Sequence, residues 1–137
     1  MTDKELLHKN LIVSILALAS DKQNQIDFTI PGCSVCDLIE DFDTYGNRCY
    51  DSENYSKEQS ARINELKVLI DKFCELKTEC FDPNVLDHPM WIGIRIKARE
   101  TLYKFEYLMS DLPKSIEKED GVWYVNINDY ELKRNTK

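Results

Sequence analysis

The chain has 137 residues, of which 42% are hydrophobic and 31% charged, enough for one domain (1–137) with a real core and no metal or disulfide. Its net charge of −7 argues against a nucleic-acid partner, since a phosphate backbone calls for a basic stripe. With four glycines and four prolines there is no flexible linker or low-complexity tract.

The first predicted element is a helix over residues 3–20. Thr2 and Glu5 have capping-box spacing, and Leu7, Leu11, Ile15 and Leu18 form a stripe widened by Leu6, Ile12 and Leu16. Its apolar run ends in Ala17-Leu18-Ala19, the small-x-small form of a signal-peptidase site. However, Asp3 and Glu5 cancel Lys4 and Lys9, and so short a run cannot span a bilayer, so no membrane partner and a cytoplasmic location are expected.

Residues 21–31 read as a connection with a short extended piece at 26–30, turned by Pro31-Gly32. A short helix is expected over 34–42, broken by Gly46 and Asn47. The longest helix is expected over 56–79, capped by Ser56 with Gln59, its inner stripe being Ile63, Leu66, Ile70 and Phe73. Another helix starts at His88-Pro89 and runs to about 110, with Trp91, Ile94, Ala98, Leu102, Phe105 and Met109 facing inward. Ile92, Ile96, Tyr103 and Tyr107 form a second row, which predicts a central helix. Arg95, Lys97, Arg99 and Lys104 read as a solvated flank.

After Asp120-Gly121, the β-branched and aromatic run 122–127 predicts a strand. Asn128-Asp129 is expected to turn it back into 130–132, with a frayed tail at 133–137. The fold class is mainly α: a small helical bundle with a minor C-terminal β-hairpin.

Five cysteines, at 33, 36, 49, 74 and 80, argue by their odd number against a complete disulfide framework. Cys33-x-x-Cys36 precedes a predicted helix, as a reactive thiol would, but lacks a βαβ context. Zinc would draw on Cys33, Cys36, Cys49 and one of Cys74, Cys80 or His88. A second closely spaced pair is missing, because Cys74 and Cys80 are six apart in a helix and fall on different faces. No metal, cofactor or required disulfide is expected. Asp41-x-Asp43-x-Tyr45-Gly46 starts like a calcium loop but has Tyr45 at the fifth position and Ser52 at the twelfth. His8 and His88 carry no catalytic signature, so no catalytic residue is assigned and the chain is not expected to be an enzyme.

The strongest surface feature is the segment 36–58. Seven carboxylates stand there against Arg48 and Lys57, a local charge of −5, with tyrosines interspersed. Such a field favours a cationic partner. The expected partner-binding residues are Asp37, Glu40, Asp41, Asp43, Tyr45, Tyr50, Asp51 and Glu53. The expected function is an acidic protein-binding domain that neutralises or regulates a basic protein. Bacterial immunity proteins and antitoxins share this physical character, an analogy and no more. The alternatives are a helical scaffold or homo-oligomerisation domain and, third, a small carboxylate-dependent enzyme.

Overall fold

A computed structural model describes residues 2–49 and 55–135, without the side chains of 48 and 49. Among the described residues, five helices precede a two-stranded hairpin: α1 (Asp3–Ala19), α2 (Lys22–Thr29), α3 (Ser34–Cys49), α4 (Lys57–Cys74), α5 (Pro89–Lys104), β1 (Ser115–Glu119) and β2 (Val122–Val125). A 3₁₀ turn over Pro83–Asp87 leads into α5. Among the described residues, no helix is long and apolar enough to cross a membrane.

The helix α1 lies at the centre. Residues 11–19 are buried without a break, Ser14 included, whose hydroxyl donates to Leu11 O at 2.6 Å, so this half of α1 is enclosed on all sides. It packs against α3 and α5, and α4 packs mainly against α5 and also touches α3. Trp91, Leu102 and Phe105 are core residues, as the apolar spacing predicts. The helix starts also follow the sequence. Thr2 accepts from Glu5 N–H, Ser56 and Gln59 form a complete capping box, and His88 caps α5 ahead of Pro89.

The helix ends and the connections differ from expectation. α5 stops at Lys104, where Glu106 N–H bonds Tyr103 O and Tyr107 N–H bonds Leu102 O. This is a Schellman closure with Glu106 at φ +66°, a non-glycine residue taking the left-handed conformation. α4 ends at Cys74 instead of near residue 79; Lys77, at φ +52°, follows its last turn. Residues 26–30 are not extended: α2 runs through them as far as Thr29, capped by Asp21, whose carboxylate accepts from Asn24 N–H. α3 continues through Gly46 to Cys49, because a single glycine costs a helix only ~1 kcal/mol and packing on α1 and α4 offsets it.

The hairpin is displaced towards the N-terminus. Asp120-Gly121 is its turn, with Gly121 at φ +78°, and β2 pairs back with 115–119 rather than forward with 130–132. Lys133 and Asn135 are tied down, since Leu108 N–H bonds Lys133 O and Asn135 N–H bonds Glu106 O, each at 2.8 Å.

A buried polar node joins three helices. Gln25 is fully buried; its amide nitrogen donates to Ala17 O and Leu18 O, both at 3.0 Å. Its amide oxygen accepts from Trp91 Nε1 at 3.1 Å and Arg95 Nη2 at 3.3 Å. Arg95 therefore turns inward, and Arg99 Nε donates to Ala19 O at the end of α1. These two arginines satisfy buried acceptors at and near the end of α1, where a solvated flank was expected. Of the expected second row, Ile92, Ile96 and Tyr103 are exposed, while Tyr107, beyond the end of α5, is buried; α5 nonetheless packs against both α1 and α4.

Candidate functional site

Much of the expected acidic surface lies on α3. Asp37 and Asp41 are four residues apart on one face, with Glu40 beside them. No cation among the described residues forms an ion pair with any of the three. Among the described residues four carboxylates are in ion pairs, Glu58, Glu65, Asp87 and Glu100, as in Lys22–Asp87 at 2.6 Å and Lys104–Glu58 at 2.9 Å. Burial raises the pKa of Asp41 to about 6, helped by repulsion from Asp37 and Glu40. Burial and Glu40 also push Asp37 up.

The half-buried Asp41 lines a cleft of about 530 Å³ between α1, α3 and the end of the hairpin. Tyr45, Tyr124, Asn10 and Asn128 line it as well. The cleft thus holds a carboxylate, two phenol rings and neutral amides. Tyr45 stands one turn beyond Asp41 on α3, and Tyr124 comes from β2. The sequence points to Tyr45 and Asp41 but not to Tyr124, Asn10 or Asn128, which are remote in the chain and carry no signal of their own.

Asp43 belongs to a different surface. Together with Glu40 and Cys36 it borders a second cleft, of about 480 Å³, between α3 and the end of α4. Burial raises its pKa, Asp71 adds to this, and Lys67 opposes it. The expected site is therefore split along the two sides of α3. Tyr50, Asp51 and Glu53 lie outside the described residues.

Both histidines have structural partners. His8 Nδ1 shares a hydrogen bond with the Tyr55 hydroxyl at 2.7 Å, and Nε2 with that of Tyr107 at 3.0 Å. Burial and Arg134 hold the His8 pKa below its usual value. His88 Nδ1 accepts from Met90 N–H as the cap of α5.

The third constellation is made of thiols. Cys33, Cys36 and Cys80 have sulfurs all within 4.8 Å of one another. Cys74 and Cys80 do not share a helix, contrary to expectation, since α4 ends before the loop that carries Cys80. No family model matches the chain, and no curated protein or solved structure matches it.

Proposed function

We propose that the protein binds a basic segment of a partner protein across α3, with one lysine or arginine side chain entering the Asp41 cleft. The observation that carries this reading is the state of Asp41: half-buried, repelled by two neighbouring carboxylates, and in no ion pair among the described residues. Much of its desolvation cost is already borne by the fold. An incoming cation would gain attraction in a partly dry cleft and relieve repulsion among three carboxylates. Tyr45 and Tyr124 add aromatic surface against which an ammonium or guanidinium group can rest, as the chain's own Lys118 Nζ does 6.0 Å from the centre of the Tyr124 ring. Occupying a basic surface in this way would neutralise or regulate the partner, as an immunity protein or antitoxin does.

The test is ¹⁵N NMR titration with a lysine- and arginine-rich peptide at several salt concentrations. Shifts should centre on Asn10, Asp41, Tyr45 and Tyr124, and Asp41→Asn should lower affinity at least tenfold. Shifts spread evenly over exposed carboxylates, Glu117 and Glu119 included, would mean diffuse charge attraction and defeat the reading.

A second reading, homo-oligomerisation, draws on the exposed row Ile92, Ile96 and Tyr103 of α5. Light scattering tests it: a monomer at high concentration rules it out. The apolar run 11–19 of α1 is enclosed within its own chain and offers no such surface.

A further inference from the structure

From the convergence of Cys33, Cys36 and Cys80 we infer a binding site for a single zinc ion, with three thiolate ligands and a fourth position open to solvent. The three sulfurs come from two segments more than forty residues apart: the turn before α3 with its first helical turn, and the loop after α4. They lie within 4.8 Å of one another, and Cys36 and Cys80 are 3.5 Å apart. Zinc–sulfur bonds of about 2.3 Å place the ligands of a tetrahedral site about 3.8 Å apart. Small rotations of the thiol side chains connect the observed spacing to that geometry.

The surrounding backbone suits an anionic sulfur cluster. Cys33 is buried directly ahead of α3, and its carbonyl accepts the first helical bond from Asp37 N–H at 2.9 Å. Its sulfur accepts from Phe81 N–H at 3.2 Å. Phe81 takes the left-handed conformation, at φ +61°, and is 69% exposed. A bulky residue in that conformation, gaining little burial, is accounted for by the aim of its N–H at Cys33. The pattern is that of a sulfur ligand oriented by second-layer hydrogen bonds.

Exposure divides the roles. Cys33 anchors the site from the protein side. Cys36 and Cys80 are exposed, so solvent reaches the remaining coordination position. Binding exchanges the thiol protons for the metal and releases them to solvent, so apparent affinity rises with pH. The ion would tie the turn before α3 to the loop after α4.

The experiment uses the full chain, fully reduced and stripped of metal, with zinc titrated against a chromophoric chelator. One zinc per chain is expected. Cys36→Ser and Cys80→Ser alter exposed side chains, so the core stays intact; each should weaken binding at least tenfold. Cys74→Ser, also exposed but outside the cluster, should bind as wild type. Cobalt gives a second readout: the sulfur-to-metal charge-transfer absorption should fall in Cys36→Ser and Cys80→Ser and persist in Cys74→Ser. Unchanged zinc affinity in Cys80→Ser would overturn the site. Sub-stoichiometric binding by the reduced wild type, or stoichiometric binding of copper(I) with no binding of zinc, would overturn the assignment of the ion.

Discussion

Replacing Asp41 with asparagine should make the protein more stable at neutral pH, although it removes a carboxylate from the candidate site. The carboxyl is raised from 3.8 to about 6, a gap of about two units. At ~1.4 kcal/mol per unit, the full penalty for the charged form would approach ~3 kcal/mol. The group is only half-buried, so solvent screening reduces this to ~1–1.5 kcal/mol. The asparagine side chain has the same shape and carries no charge. The sign follows from proton linkage. The folded chain binds more protons than the unfolded chain between the two values, so the wild type gains stability as pH falls from about 6 towards 3.8 and loses it as pH rises through 6. Asp41→Asn does not titrate at this position. Its advantage should be full at pH 7.5, shrink through pH 6 and be gone near pH 4. Urea denaturation of both proteins at pH 4, 5, 6 and 7.5 measures it. For a chain of this length, 1 kcal/mol corresponds to a Tm change of about 3–4 °C. A variant no more stable than wild type at pH 7.5, or an advantage independent of pH, would refute the reasoning. If the same variant also loses the basic peptide, the destabilising carboxylate is retained for binding.

Three further outcomes are expected. Gln25→Ala should cost ~2–4 kcal/mol in chemical denaturation, because it leaves Trp91 Nε1, Arg95 and two carbonyls without their buried partner. His8 acts in the opposite sense to Asp41: its folded pKa is lowered by burial and Arg134, so the unfolded chain holds more protons there and stability is lost as pH falls below about 6.5. His8→Gln, measured across pH 5 to 7.5, should flatten that part of the profile; an unchanged slope would remove His8 as its source. Gly46→Ala should stabilise the fold by ~0.5–1 kcal/mol, since the new methyl would meet Lys67 Cε at 3.4 Å, an ordinary contact, and alanine favours the helix. A lower Tm for that variant would show that α3 and α4 have no room for it.

The helix starts and the inward faces of α1, α4 and α5 were legible because their causes are local. A cap reaches three residues ahead, and an apolar stripe repeats every three or four. Trp91, Leu102 and Phe105 could be placed in the core from spacing alone. Asp120-Gly121 carries an equally local hairpin signal, but the apolar run after it draws the reading to the start of a strand instead of to the turn. The helix ends were not legible. Glu106 and Lys77 take left-handed conformations that their side chains do not favour, and at Glu106 the chain end comes back to it, with Asn135 N–H bonded to Glu106 O. Arg95 and Arg99 look like surface charge because nothing near them in sequence reveals that the end of α1 and Gln25 lie across from α5.

The sequence by itself determined the mostly helical class, the acid excess and the placement of much of that excess near the third helix. Only the tertiary structure decided which carboxylates act together. Asp41 turns to a cleft completed by residues 10, 124 and 128, while Asp43 faces α4 and Lys67. It also decided that Cys80 joins Cys33 and Cys36 rather than remaining an isolated thiol on a helix. The physical reason is the range of the interactions. Propensity, capping and periodicity act within about one turn, so they are written into adjacent residues. The meeting of groups tens of residues apart is set by how the elements pack and where each helix stops.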